Sequence, residues 1–347
     1  MSAPTDAFHA RRRNRVALFA TILALLAVTA VASIMVGQFE LSPGELWPII
    51  TAGPMSATSL DASVVWQIRL PRLVLGLFVG AALGVGGALM QAVFANPLAE
   101  PSVIGVSTGA GVGAAVALVF GINALGTMTV PVFAFASGIL ATAIVYQFSR
   151  SGGRVRVLSL VLVGIAANAV CGAVISLLTF MAPTTAREQI IFWQMGTLAG
   201  ASWAQTGAVA AVVTVATVLT MFLGLRLDLL ALGDQAAYHV GLNVSRIRMA
   251  AIVLSTLLTA AAVSFAGLIG FVGLVVPHIV RTAVGPSNAV LLPASALGGA
   301  LLIGAGDIFA RTVIPFADLP IGIFTALIGG PTFFLLLRQM MRKNHEL

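Results

Sequence analysis

From Val16 to Leu337 the chain is a succession of apolar runs, most of them closed by arginine, proline or glycine. A helix needs about 20 predominantly apolar residues to cross the hydrocarbon of a bilayer. Charge clusters and Pro/Gly breaks divide the sequence into about ten runs of that order, at 16–36, 72–95, 103–120, 127–149, 157–181, 205–225, 249–266, 268–284, 289–309 and 320–337. Charged residues make up 8% of the chain, against 59% hydrophobic. A soluble domain carries roughly 25% charged residues, so the solvent of this surface must be lipid. The fold class that follows is an all-α polytopic membrane protein of ten transmembrane helices, one domain over 1–347, with some helices short or broken.

The basic residues supply the topology. ARRRNR at 10–15 precedes an apolar run from Val16 to Val36. That run is longer than a signal-peptide core and has no clear small-residue cleavage site after it, so it reads as a retained first helix. With the N-terminus cytoplasmic, Arg11, Arg12, Arg13 and Arg15 fall inside. So do Arg150, Arg154 and Arg156, Arg226, Arg246 and Arg248, Arg281, and finally Arg338, Arg342 and Lys343. This excess obeys the positive-inside rule. Both termini are then cytoplasmic, 1–15 is a cytoplasmic tail and 226–248 a cytoplasmic loop. Arg69, Arg72, Arg187 and Arg311 remain on the outside, unexplained by topology.

Several chemistries find no residues. GxxxxGK[ST] does not occur, and the only lysine is Lys343. HExxH is absent, the histidines stand apart at 9, 239, 278 and 345, and Cys171 is alone. The chain therefore has no means of hydrolysing ATP and no expected metal or catalytic site. Its arginines sit in short clusters between apolar runs, a poor pattern for nucleic acid. A row of intramembrane acids, which an ion-coupled carrier would use, is also missing. Active transport would take its energy from a partner.

Five features carry the rest, each with a plainer alternative. Gly76, Gly80 and Gly84 share a helix face, and plain helix packing accounts for them. FANPLAEPSVIGVSTGAG at 94–111 breaks an apolar run at Asn96-Pro97 and carries a lone Glu100 before Pro101. It is either a tight cytoplasmic turn or a turn that lines or closes a pathway. LALGDQAAYHVGLN at 230–243 is amphipathic, either a solvated loop helix or a docking helix for a cytoplasmic partner. GLIGFVGLVVPHIVR at 267–281 is a second broken segment, with His278 expected as a hydrogen-bonded packing residue. Paired breaks in two halves suggest inverted repeats around a central pathway. Arg69 and Arg72 flank Pro71 in WQIRLPR, and Arg311 follows Asp307 by one helical turn. Headgroup snorkelling or a local Asp307–Arg311 pair is the plain reading; exposed arginines steering an acidic protein partner is the functional one.

The chain resembles the permease subunits of FecCD-type, or type II, ABC importers for iron chelates and vitamin B12. The resemblance is carried by WQIRLPR at 66–72, GALMQAVFANPLAEPSVIGVSTGAG at 87–111, the 230–243 and 267–281 segments, GDIFAR at 306–311 and LPIGIFTALIGGPTFFLLL at 319–337. It implies a bacterial cytoplasmic (inner) membrane protein, two permease copies in a homodimer embedded in membrane lipid, a cytoplasmic ABC ATPase dimer and an extracytoplasmic substrate-binding protein. ATP and Mg2+ would be bound by the ATPase and the permease itself would hold no cofactor. Arg69, Arg72 and Arg311 match arginines that receive the binding protein's carboxylates. Asn96 and Leu98 match cytoplasmic gate residues, and Leu232, Gly233, Ala236 and Gly241 match the coupling helices that dock on the ATPase. Asp318 departs from the family, where Glu is frequent. FWQMGTLAGASW at 192–203 looks slightly more like haem permeases than cobalamin ones. The expected cargo is thus an iron chelate, haem before a ferric siderophore, with cobalamin as the alternative and an ion-coupled secondary carrier as the competing class.

Overall fold

Hydrocarbon offers no hydrogen bonds, so backbone at membrane depth satisfies itself by forming helix. The computed structural model describes residues 4–39, 41, 43–54, 59–151 and 154–345. The side chains of Arg11, Arg154, Arg342 and Lys343 lie outside those described. In chain order the helices are α1 (Pro4–Met35), α2 (Pro43–Ala52) and α3 (Leu60–Ser63), which continues through a π-helical stretch at Val64–Arg69 into α4 (Leu70–Phe94). They continue with α5 (Val106–Val119) and α6 (Thr129–Phe148), then a two-residue hairpin, β1 (Arg150–Ser151) with β2 (Arg154–Val155). After it come α7 (Val157–Met181), α8 (Thr184–Met195), α9 (Trp203–Met221), α10 (Gly224–Leu230) and α11 (Asp234–His239). The last are α12 (Val244–Ala266), α13 (Val272–Val284), α14 (Asn288–Thr312) and α15 (Ile321–His345).

Among the described residues 8 helices are long and apolar enough to cross a membrane, and α5 and α13 are shorter apolar helices. Together they coincide with the ten expected runs. The run expected at 157–181 is α7 to the residue. Residues 4–15, expected as a tail, instead continue α1 as helix. The short helix α2 and the Arg187-bearing α8 were not foreseen.

The helices α4 and α12 run through the centre with most residues buried, whereas α7 and α15 leave most of theirs open. In lipid, helices associate through close packing, because the tails are as apolar as the side chains. Small residues make that possible here. A Cβ on Gly80 would collide with the Gly299 carbonyl, and one on Gly84 with the Ser295 carbonyl, so α4 and α14 touch backbone to backbone. Gly87 meets the Gly273 carbonyl in the same way and brings α13 onto α4. The packing reading of the glycine ladder is the one observed. Around these contacts Leu89, Met90, Leu258, Leu291 and Leu292 fill the core.

Candidate functional site

The arginine cluster at one end of α4 is assembled from distant parts of the chain. The π-helical stretch carries Arg69, and Arg72 follows it in the first turn of α4. Arg72 Nε donates to Asp307 Oδ1 at 2.9 Å and Oδ2 at 3.1 Å, while its Nη1 reaches Asp318 Oδ2 at 2.7 Å. Arg311 Nη2 donates to the Ser33 carbonyl at 2.6 Å and the Ser33 hydroxyl at 2.8 Å. Arg69 donates to the carbonyls of Ile34, Met35 and Phe39.

The arginines were expected as exposed groups, and they are buried. The physical reason is the end of α1. Its last carbonyls have no intrahelical partner and carry the negative end of the helix dipole, so two guanidinium groups settle on them. The local Asp307–Arg311 pair exists at 3.9 Å, yet Arg72 is the closer partner of Asp307. Among the described residues the cluster holds three guanidinium groups and two carboxylates, with Arg72 and Arg311 paired to the acids and Arg69 to carbonyls, an excess of one positive charge. Asp318 is the exposed edge of it, with a side chain 36% accessible.

At the other end of α4 the chain turns. Ala95 closes the helix in the left-handed region, φ 48°. Asn96 Oδ1 accepts the Leu98 N–H at 2.9 Å, an Asx turn that Pro97 favours by ending the helix. Asn96 is exposed and Leu98 half-buried. Beyond them the segment folds back into the protein: Ala99, Pro101 and Ile104 are buried. Glu100 Oε1 accepts the Phe271 N–H at 3.0 Å, at the start of α13. Asn168 of α7 donates to the Ser102 carbonyl at 3.1 Å and contacts Thr108 Oγ1 at 2.6 Å. The turn is thus more than a surface connection: it packs between α7 and the start of α13.

The stretch 230–243 lies on the surface as expected. Leu232, Gly233, Ala236 and Gly241 are all exposed, with Tyr238 and Val240 beside them, and only Ala237 anchors α11 inward. Gly233 and Gly241 take φ 97° and 86°, conformations that suit glycine. Arg248 holds Asp234 at 2.9 Å. Just before this stretch, Asp228 of α10 accepts from the Ser287 hydroxyl at 2.9 Å and from the backbone and side chain of Asn288, so it caps α14.

His239 is exposed. His278 departs from its expected hydrogen-bonded role, since its Nδ1 is buried without a partner among the described residues. Those residues contain no group of three or more metal-ligating side chains. The participants not foreseen are Ser33 and, as a partner of Arg72, Asp307. Glu100 stood out in sequence as a lone acid in an apolar run, which is the signal that could have given it a role.

The FecCD transport family matches residues 25–339. The hemin transport system permease protein HmuU of Yersinia pestis is 37% identical over 327 residues, 93% of this chain and 96% of that one. The cobalamin import system permease protein BtuC of Halobacterium salinarum is 40% identical over 305 residues, 86% of this chain and 81% of that one. A metal-chelate type ABC transporter solved in an inward-facing conformation superposes with a TM-score of 0.83 at 33% identity, covering 93% of this chain and 98% of that one. These similarities run along nearly the whole length, and the chain belongs to the FecCD transport family as a permease of an ABC importer of the metal-chelate type.

Proposed function

We propose that this permease carries an iron chelate, haem before a ferric siderophore, from an extracytoplasmic binding protein to the cytoplasm. Two copies form the pathway and a separate ABC ATPase dimer, which binds the ATP and Mg2+, drives it. The reading rests most on the 230–243 stretch, where apolar and small side chains stand in solvent on a chain that has no phosphate loop. Leu232, Gly233, Ala236 and Gly241 are its ATPase contact. The open apolar faces of α7 and α15 support a second copy. Asn96 and Leu98 form the cytoplasmic gate, and both termini lie on that side of the inner membrane.

Docking of the binding protein falls to the rim of Arg69, Arg72 and Arg311. Excess positive charge there suits a carboxylate-bearing partner. Since Arg69 and Arg311 are occupied by α1 carbonyls, the acceptor most open to replacement is Asp318 on Arg72.

The haem preference leans on residues 192–203 and on the hemin permease relative; the cobalamin permease relative favours the second reading, cobalamin import. Reconstitution in proteoliposomes with the ATPase and candidate binding proteins tests both. Uptake of hemin that needs ATP and a binding protein supports the first reading, and uptake of cobalamin alone replaces it with the second. Uptake driven by an ion gradient without ATP would sink both.

A further inference from the structure

The two interrupted segments of this fold are fastened to each other. Glu100 lies in the turn that follows α4, and its carboxylate accepts the Phe271 N–H, 171 residues away. The Ser102 hydroxyl is its other neighbouring donor. Among the described residues no basic side chain pairs with it. A carboxylate in such a place is costly to keep, which points to a task.

Phe271 is itself unusual. It is a non-glycine residue at φ 67°, a backbone conformation that is held only when its surroundings enforce it. The surroundings are on three sides. Glu100 binds its N–H, Gly329 of α15 leaves room for its ring, and α13 begins at the next residue. A second fastener sits beside the first: Gln91 of α4 donates to the carbonyls of Gly273 at 3.4 Å and Leu274 at 3.2 Å. Gly87 and Gly273 let the backbones meet there. The α13 helix has 13 residues, and the Val284 carbonyl at its far end accepts from Arg15. At 1.5 Å per residue the junction stands about 20 Å along α13 from the face that carries Arg15. Glu100, half-buried like Phe271, therefore ties the gate turn to the start of α13 at that depth.

We infer that Glu100 is a positioning residue for gating, clamping the 95–105 turn to the start of α13 so that the turn follows α13 and α15 when the ATPases close. The inference rests on the permease reading and on the gate assigned to Asn96 and Leu98. If the turn moves only through this clamp, a clampless turn no longer distinguishes the nucleotide states.

The test uses the assembled transporter in proteoliposomes. Cys171→Ser removes the native thiol, and Ala95→Cys supplies a reporter at the exposed end of α4. A membrane-impermeant maleimide is added from the ATPase side with and without ATP and vanadate. The parent should show a change in labelling rate of about fivefold between states, and Glu100→Met, which has no oxygen to accept the Phe271 N–H, should reduce it below about twofold while ATP hydrolysis persists. Glu100→Gln is nearly isosteric and keeps an oxygen for the Phe271 N–H, so it should assemble and retain the parent's ratio as the conservative rescue. A purely structural role for Glu100 would lower thermal stability and leave the state-dependent ratio intact. Retention of that ratio with normal uptake in Glu100→Met overturns the clamp. A parent that labels identically in every nucleotide state, with no ATP-dependent uptake, overturns the importer reading and the clamp with it.

Discussion

Arg72 and Asp307 meet at 2.9 Å although 235 residues separate them, and both are buried. The pair joins the start of α4 to the end of α14, the same helices that touch through Gly80 and Gly299. Asp307 also faces Arg311, so one carboxylate serves two guanidinium groups.

Removing that carboxylate should be severe. Among the described residues Asp307→Ala leaves Arg72 with Asp318 alone and takes away the carboxylate that Arg311 pairs with. Breaking a buried pair in this way costs about 3–5 kcal/mol. The expected result is a clear drop in the unfolding midpoint in detergent. A midpoint within about 1 °C of the parent, against several degrees per lost kcal/mol in small domains, would remove the network from the account of stability.

The backbone contact predicts a steep size limit. Gly80→Leu has nowhere to go except into the Gly299 carbonyl. It should yield aggregated or misassembled protein on size-exclusion chromatography. Gly207 of α9 meets nothing within 4 Å in the chain. Gly207→Ala should be tolerated or gain up to about 1 kcal/mol from helix propensity. Equal profiles for Gly80→Leu and the parent would show that the helices can separate.

Docking should respond to Asp318 before it responds to charge reversal of the arginines. Arg69→Glu places a carboxylate among the Ile34, Met35 and Phe39 carbonyls, so folded protein is lost first. Asp318→Asn frees Arg72 at the exposed edge. It should tighten binding-protein affinity by up to about tenfold, or ~1.4 kcal/mol, with the gain shrinking at high salt. Weaker binding at every ionic strength would place docking elsewhere.

Variants in the 230–243 stretch, proposed as the ATPase contact, separate association from folding. Gly233 sits at φ 97° with open space around it. Gly233→Val strains that backbone by about 1–3 kcal/mol and adds bulk on the exposed surface. The permease should remain monodisperse while co-purification of the ATPase falls. Leu232→Arg should do the same without backbone strain. Normal co-purification of both variants counts against this surface as the ATPase contact.

Much of the fold was legible because apolar length and charge placement are local properties. The α7 bounds and the ends of α12 and α13 follow from them directly. The α8 helix escaped because it is short and carries Arg187 and Glu188. The arginine rim was legible as residues and misread as surface. Asp307 lies one turn from Arg311, and that spacing offered a local partner that hid the distant one. Nothing in the order of residues shows that the end of α1 returns to this place with free carbonyls. The Glu100–Phe271 contact was invisible for the same reason, since pairing of two breaks is a property of packing.

The close approach of α4 to α14 has a mechanical consequence. With carbonyls set against Cα atoms, no layer of side chains lies between the helices to absorb sliding. They act as a fixed post, and their register cannot shift by a fraction of a turn without collision.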